Sequence, residues 1–310
     1  MRTVRNIAAV VVVLTLVIPA SAEEADMSRP VKVFILSGQS NMEGVGRSSQ
    51  LPPELADQPN VKIRSTILTA PDPDEWKTLG GGFGVGKGFG PEVSVGSELA
   101  KAMSDADVFL IKSARSGTPL SKRGRVNFHP TEGVAYTTLI RRVQAALKDL
   151  EDSGRTYSVE ALFWMQGEAD ALDRNNNPGD PSPTAPQYAK NLRHFITSVR
   201  RDLQLPDLPV FAGRLPTNLV STVFRKNTFQ SAHLVIAGQE QVARDAAMNT
   251  VLINTDDIPL AGDNLHYNTQ GQLALGRRFA SAYLSYAAQA VGAVTSTRSK
   301  SRRTGRPGNN

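Results

Sequence analysis

Six residues in four short polar segments have the groups that an acyl-transfer reaction needs. In chain order they are Ser40, Gly117, Gln166, Glu168, Asp263 and His266. Such a reaction uses a serine hydroxyl as nucleophile, a histidine as general base, a carboxylate that orients the histidine, and N–H donors that stabilise the oxyanion. The sequence therefore contains a candidate for every part of such a site.

The candidate base has two candidate partners. His266 lies three residues after Asp263, a spacing that lets the carboxylate reach the Nδ1–H of the imidazole within a turn. That contact fixes the tautomer in which Nε2 is free to take the proton of the Ser40 hydroxyl. Glu168 is the second candidate for holding His266, alone or together with Asp263. We expect Asp263 to orient the ring and Glu168 to support it, and both assignments stay open.

The donors for the oxyanion are expected at three positions. The candidates are the backbone N–H groups of Ser40 and Gly117 and the side-chain amide of Gln166. One such donor typically lowers the activation barrier by about 3–4 kcal/mol. Three polar residues close to Ser40 and Gly117 in the sequence are expected to contact the substrate; they are Asn41, Glu43 and Arg115. No set of His, Asp and Glu has metal-ligand spacing, so we expect neither a metal nor a cofactor.

These segments follow apolar runs that alternate with amphipathic stretches. Five runs have the composition of buried strands: 31–36, 107–114, 159–166, 208–215 and 250–257. Helical spacing is found in the stretches 91–103, 134–151, 186–203, 231–248 and 269–290. This alternation predicts an α/β fold, a five-stranded parallel sheet covered on both faces. Open parallel sheets hold their sites outside the carboxyl ends of the strands, where the polar segments would meet.

The two ends of the chain differ from the middle. Residues 1–22 combine two arginines, a short apolar run and a final ASA, the pattern of a secretory signal peptide cut after Ala22. Residues 294–310 hold five basic residues and no acid, and we expect a disordered basic tail. The chain between these ends has 28 basic and 29 acidic residues. We therefore expect one secreted or periplasmic domain over 30–290, with no nucleic-acid partner and no membrane span after cleavage.

The glycine-rich segment 80–90, GGGFGVGKGFG, only partly matches a phosphate-binding loop. Gly81 to Lys87 fit the pattern G-x-x-x-x-G-K, but residue 88 is glycine where Ser or Thr should hold Mg²⁺. No strand is predicted immediately before it. We interpret the segment as a flexible flap that leads into the next helix, and nucleotide or nucleic-acid binding remains the less favoured alternative.

Three motifs taken together resemble a known family. FILSGQSNMEG, WMQGEAD and DNLHYNTQGQLALG, in this order and spacing, resemble the sialate O-acetylesterase-like domain and carbohydrate esterase family 6, within the SGNH (GDSL) hydrolase superfamily. The resemblance extends from about Val31 to Tyr286. It implies a flavodoxin-like, three-layer α/β/α domain that removes acetyl groups from sugars without a metal.

The resemblance also implies roles for individual residues. By motif, Ser40 is the nucleophile, His266 is the base, and the oxyanion hole consists of the Ser40 N–H, Gly117 and Gln166. Members use the aspartate of D-x-x-H or the glutamate of Q-G-E as the third triad residue, and this chain has both. The expected substrate is an O-acetylated carbohydrate, either acetylated xylan or O-acetylsialic acid. The alternative is a non-catalytic carbohydrate-binding protein, because a fold does not determine activity.

Overall fold

The computed structural model describes residues 29–66, 74–173, 180–220 and 229–304. Its strands are β1 (Val31–Gly38), β2 (Asp57–Ser65), β3 (Lys77–Gly80), β4 (Asp107–Ala114), β5 (Tyr157–Met165), β6 (Val210–Gly213) and β7 (Thr250–Ile253). Its α-helices are α1 (Ser40–Glu43), α2 (Pro53–Ala56), α3 (Glu92–Ala102), α4 (Val134–Asp152), α5 (Glu168–Ala171), α6 (Tyr188–Asp202), α7 (Ala232–Ala243) and α8 (Thr269–Thr304).

The strands form one sheet in the order β3-β2-β4-β1-β5-β6-β7. Every neighbouring pair is parallel except β2 and β3. Strand β1 lies at the centre, and its last residue, Gly38, is paired with Ala114 of β4 and Met165 of β5. The three central strands therefore end level with one another. The segments that follow them begin side by side at one edge of the sheet.

The predicted α/β class with a mainly parallel sheet is confirmed, but the predicted count of five strands is wrong. Strands β2 and β3 lie within 43–90, which we interpreted as a connection. Along β2, apolar Val61 and Ile63 alternate with the charged residues Lys62 and Arg64. The Lys62 side chain contacts Thr78, and the Arg64 side chain contacts Asp149. This alternation gives no continuous apolar run, and β3 is a four-residue edge strand, so neither had the signature of a buried strand.

Helices cover both faces of the sheet. Helices α3 and α8 pack against each other, and so do α6 and α7. The adjacent residues Phe163 and Trp164 of β5 point to opposite faces, as successive strand residues must. The Phe163 ring lies 5.2 Å from Phe279 of α8, and the Trp164 ring lies 4.3 Å from Phe195 of α6. Aromatic cores on both sides of the sheet thus hold the three layers together.

The ends of the chain add two observations. Residues 1–22, predicted to be a signal peptide, lie outside the described residues. Helix α8 continues to Thr304 and so enters the predicted basic tail, of which 305–310 also lie outside the described part. Within the described ranges, no helix combines the length and apolar character needed to cross a membrane.

Candidate active site

Ser40 lies in a tight turn at the end of the central strand. Gly38 ends β1 with a φ of +144°, and a Cβ there would lie 2.0 Å from the Met165 carbonyl oxygen. Only glycine fits this position, because it tolerates positive φ and has no side chain to clash. The N–H of Gln39 then donates to that Met165 oxygen at 2.9 Å, and Ser40 begins α1. The turn brings Ser40 to the sheet edge, where the residue is 5% exposed.

The side chain of Gln39 ties this turn to the segment after β5. Its Oε1 accepts hydrogen bonds from the N–H groups of Ala169 at 3.1 Å and Gly167 at 3.4 Å. The residue is buried, with 3% of its surface exposed. Sequence reasoning assigned Gln39 no role, although it lies inside the GQSNM motif. Its function is to hold two neighbouring strand ends in a fixed relation.

His266 and Asp263 are in direct contact, as the three-residue spacing indicated. The His266 Nδ1 atom lies 2.6 Å from Asp263 Oδ2. The other carboxylate oxygen, Oδ1, accepts from the N–H groups of His266 at 2.9 Å and Leu265 at 3.0 Å. Both side chains are less than a quarter exposed. A carboxylate at Nδ1 favours the tautomer in which Nε2 carries no proton and can act as a base.

The environment of Asp263 keeps it ionised. Partial burial alone would raise the pKa of its carboxyl, but the hydrogen bonds from the His266 backbone and ring and from Leu265 outweigh burial. The net result is that the pKa of Asp263 is lowered. Hydrogen bonds to the charged form of a carboxylate favour that form. Asp263 therefore carries a negative charge next to the imidazole over the neutral range.

Asn41 connects the Ser40 turn with the His266 segment. Its Oδ1 accepts from the N–H of Tyr267 at 2.9 Å, and its Nδ2 lies 3.3 Å from the Leu265 carbonyl oxygen. Asn41 is 1% exposed. We expected Asn41 to contact sugar hydroxyls; the structure instead places its amide in the interior, with its hydrogen-bonding groups occupied by the protein.

Glu168 lies behind Asn41 and does not bond the imidazole. Its Oε1 accepts from Asn41 Nδ2 at 2.7 Å, while its Oε2 is buried with no hydrogen-bond partner among the described residues. Burial raises the pKa of Glu168, and the bonds it accepts and its attraction to His266 only partly offset this. The two acids left open by the sequence therefore differ in geometry, since Asp263 touches the ring of His266 and Glu168 touches Asn41.

The loop after β4 approaches the Ser40 turn. The N–H of Arg115 donates to the Gly38 carbonyl at 3.0 Å, and Gly117 has a φ of +65°. Glu43, expected to contact sugar, instead accepts from the backbone N–H of Ser116 at 2.6 Å and from its hydroxyl. The end of α1 thus holds the loop that contains Gly117. Within the described residues, the N–H groups of Ser40 and Gly117 donate to no protein acceptor, so both are available to an oxyanion.

Gln166 lies deeper than the sequence suggested. Its side chain is fully buried, and its Nε2 donates to Asp170 Oδ2 at 2.7 Å, with Thr118 O at 3.3 Å. The Tyr188 hydroxyl donates to Gln166 Oε1 at 2.9 Å. The amide predicted to face the oxyanion is therefore engaged within the protein. Asp170, which sequence reasoning missed, also accepts from the N–H of Leu120 at 2.6 Å and so holds the segment after Gly117.

No hydrogen bond joins the Ser40 hydroxyl to the His266 ring in the described part of the chain. Catalytic hydrogen bonds in enzymes without substrate are often long and tighten only in the reacting complex. The contacts of Asn41 nevertheless hold the two segments together, because they join the residue after Ser40 to both neighbours of His266. The nucleophile candidate and the base candidate thus belong to one cluster.

Two cavities flank this cluster. One, of about 730 Å³, is lined by His266, Asp263, Arg47, Gln50 and Asn268 among others, and most of these are polar. The second, of about 340 Å³, is lined by the loop after β4 together with apolar residues that include Phe128 and Val126. Arg115, expected near the substrate, is exposed and lines this second cavity with Glu43 and Ser116. The larger cavity is the one that the candidate base, His266, lines.

The glycine-rich segment forms a compact turn against the Ser40 helix. Gly46 pairs with Phe89 in a β-bridge, and Gly82 and Gly84 both donate to the Gly88 carbonyl. The buried Lys112 ammonium bonds the Phe83 carbonyl at 2.9 Å and that of Glu43 at 2.8 Å. The segment is thus a structural support. Strand β3 does precede it, contrary to the sequence prediction, but α3 begins only at Glu92, whereas in a phosphate loop the helix follows the lysine directly. The described residues contain no group of three or more His, Cys, Asp or Glu placed to hold a metal ion.

Comparisons with known proteins agree with this architecture. A probable carbohydrate esterase of Arabidopsis thaliana is 26% identical over 275 residues, which are 83% of this chain and 91% of that protein. An Arabidopsis thaliana crystal structure, also 26% identical, superposes with a TM-score of 0.61 over 82% of this chain and 98% of its own. The crystal structure of NanS shares the fold: it is 17% identical, with a TM-score of 0.59 over 84% of this chain and 98% of its own. A carbohydrate acetylesterase from Xanthomonas citri also shares it: it is 18% identical, with a TM-score of 0.53 over 80% of this chain and 54% of its own.

The fold of this chain, a mainly parallel sheet with helices on both faces, is the one that these structures share. Residues 30–285 match the family described as carbohydrate esterase, sialic acid-specific acetylesterase. The chain belongs to this family, as the three motifs indicated. Membership supports acetylesterase activity and implies a carbohydrate substrate.

Proposed function

We propose that this protein is a serine esterase that removes O-acetyl groups from carbohydrates, with Ser40 as nucleophile, His266 as base and Asp263 as its orienting acid. The observation that supports this most is the set of Asn41 contacts. They join the turn of Ser40 to a histidine whose Nδ1 is already held by a carboxylate at 2.6 Å. A structural histidine in a loop needs no such connection to a buried serine.

The reaction has two steps. Ser40 Oγ attacks the acetyl carbonyl carbon while His266 Nε2 takes the hydroxyl proton, and the N–H groups of Ser40 and Gly117 donate to the resulting oxyanion. The intermediate collapses when the C–O bond to the sugar breaks, and the sugar oxygen takes the proton from His266. Water then attacks the acetyl group on Ser40, with His266 again accepting a proton. The intermediate releases acetate, and the proton returns to Ser40.

The test uses Ser40→Ala and a matched serine variant. Hydrolysis of 4-nitrophenyl acetate by purified Ser40→Ala should fall by at least about 10³-fold in kcat. Ser37→Ala is the control, because Ser37 is a buried serine near the end of β1 whose hydroxyl donates to the Ser113 carbonyl at 2.7 Å. Its kcat should stay near that of the unchanged protein. Equal rates for Ser40→Ala and the unchanged protein would support the non-catalytic carbohydrate-binding alternative.

The substrate is the second part of this proposal. Acetate release from acetylated xylan and from O-acetylsialic acid, measured side by side, distinguishes the two expected substrates. The family description supports the sialic acid derivative. We also propose export, supported by the pattern of residues 1–22, and the first residue of the mature protein tests it.

A further inference from the structure

The Asn41 amide spans segments that are far apart in the chain. It accepts from the N–H of Tyr267 at 2.9 Å and approaches the Leu265 carbonyl at 3.3 Å, so it bonds both neighbours of His266. These partners lie more than 220 residues away in sequence. Asn41 itself is joined to Ser40 by one peptide bond. Its hydrogen bonds are therefore the shortest non-covalent connection that the structure shows between the proposed nucleophile and the proposed base.

Burial makes this connection strong. Asn41 and Glu168 are 1% and 3% exposed, and Leu265 and Tyr267 are buried as well. A hydrogen bond inside the protein is electrostatically stronger than in water, and a partner left without its bond costs about 1–3 kcal/mol. Loss of the Asn41 amide would leave groups on both sides of His266 unpaired. The histidine segment would then be free to move relative to Ser40.

The partners of the Asn41 amide fix which way it points. A backbone N–H can only donate and a carbonyl can only accept, so the NH₂ group of Asn41 faces the Leu265 carbonyl and Glu168 Oε1, the latter at 2.7 Å. The amide oxygen then faces the N–H of Tyr267. We propose that Glu168 acts through Asn41, and that Asn41 is the positioning residue that holds His266 opposite Ser40. This inference rests on the proposed esterase function.

The geometry argues against a direct role for Glu168 on the ring. Asp263 is already hydrogen-bonded to Nδ1 of His266. The side chain that donates a hydrogen bond to Glu168 is that of Asn41, which contacts Oε1. Glu168 and His266 do attract each other electrostatically. Replacing the carboxylate by an amide therefore removes some charge stabilisation but keeps an oxygen for Asn41. A direct partner of the ring would respond to the same substitution with a much larger loss.

The test exchanges the donor and the acceptor. Asn41→Asp should lower kcat for 4-nitrophenyl acetate at pH 8 by about 100-fold, with KM within about twofold, because two carboxylates then face each other. Glu168→Gln alone should lower kcat by less than about tenfold. In Asn41→Asp/Glu168→Gln the new amide can donate to the new carboxylate. We expect this double variant to recover at least about tenfold in kcat over Asn41→Asp, which a purely structural defect at residue 41 would not show.

Gln58→Glu is the matched control. Gln58 is a buried amide in β2 that donates to the Leu55 and Val93 carbonyls, and the structure gives it no hydrogen bond to a residue of the proposed site. Its replacement should lower the melting temperature without changing kcat. If Asn41→Asp does not fold, Asn41→Ser replaces it: kcat should fall about tenfold, and adding Glu168→Gln should cost little more.

The outcomes separate this inference from the proposed function. A double variant as slow as Asn41→Asp, or Asn41→Asp with unchanged kcat, would overturn the inference while Ser40→Ala remained inactive. With the serine pair, losses from Asn41→Ser and Glu168→Gln that multiply in the combined variant would also overturn it. Full activity of Ser40→Ala would refute the esterase proposal itself.

Discussion

Replacing Asp263 by asparagine should reverse the tautomer of His266. Asp263 Oδ1 accepts from two backbone N–H groups, those of Leu265 and His266. An asparagine there must keep its oxygen at that position, because its NH₂ group cannot accept from them. The NH₂ group then faces Nδ1, 2.6 Å away in the unchanged protein. Nδ1 becomes an acceptor, the ring proton moves to Nε2, and the base is blocked.

The expected loss is large because the tautomer and the charge are lost together. An acid-to-amide change of this kind in a serine-histidine-acid site lowers kcat by about 10⁴-fold. We expect about 10³–10⁴-fold for Asp263→Asn, equivalent to about 4–5.5 kcal/mol in the barrier. The fold should be retained, since both backbone bonds to Oδ1 remain. The assay is kcat for 4-nitrophenyl acetate from pH 6 to 9, with Glu168→Gln measured in parallel. A tenfold or smaller loss for Asp263→Asn, with a 10³-fold loss for Glu168→Gln, would refute the assignment.

Two further predictions concern stability. Gly38→Ala should lower the free energy of unfolding by about 3 kcal/mol, measured by chemical denaturation, because the added Cβ would clash with the Met165 carbonyl at a residue with positive φ. The control is Gly262→Ala, where a Cβ meets no atom within 4 Å, and it should lower the free energy of unfolding by less than about 0.5 kcal/mol. Similar losses for both would contradict this. Glu168→Gln should become more stable relative to the unchanged protein as the pH rises above about 4.3. Burial raises the folded-state pKa of Glu168, so the folded protein binds its proton more tightly and loses stability as the pH rises. A melting-temperature difference that is constant from pH 4 to 8 would contradict this sign.

The sequence predicted those features that depend on local patterns. The apolar runs predicted β1, β4 and β5, because strands buried on both faces are continuously apolar; their central place in the sheet came from the structure. The contact between Asp263 and His266 followed from a three-residue spacing. The edge strands β2 and β3 lacked such a run and were missed.

What the sequence could not predict was the direction of side chains whose partners are distant. Asn41 and Glu43 lie one and three residues after Ser40 and were expected to face a substrate. Their partners are 73 to 226 residues away, and the structure turns both toward the protein. Gln166 was expected to face the oxyanion, but Asp170 and Tyr188 engage its amide in the interior. Periodicity gives the position of a residue along an element, whereas the partner of a buried amide depends on tertiary contacts.

A common arrangement holds the loops around the proposed site. Carboxylates on the short helices after β1 and β5 accept hydrogen bonds from backbone groups of other loops: Glu43 from Ser116, and Asp170 from Leu120 and Ser121. Glu168 reaches the His266 segment in the same way, through the Asn41 amide. Because the main bonds in each loop involve the backbone, loop side chains can change without loss of these contacts. The acids, by contrast, cannot be replaced by residues that lack an acceptor. Substrate preference can therefore be altered in the loops while Ser40 and His266 keep their relative position.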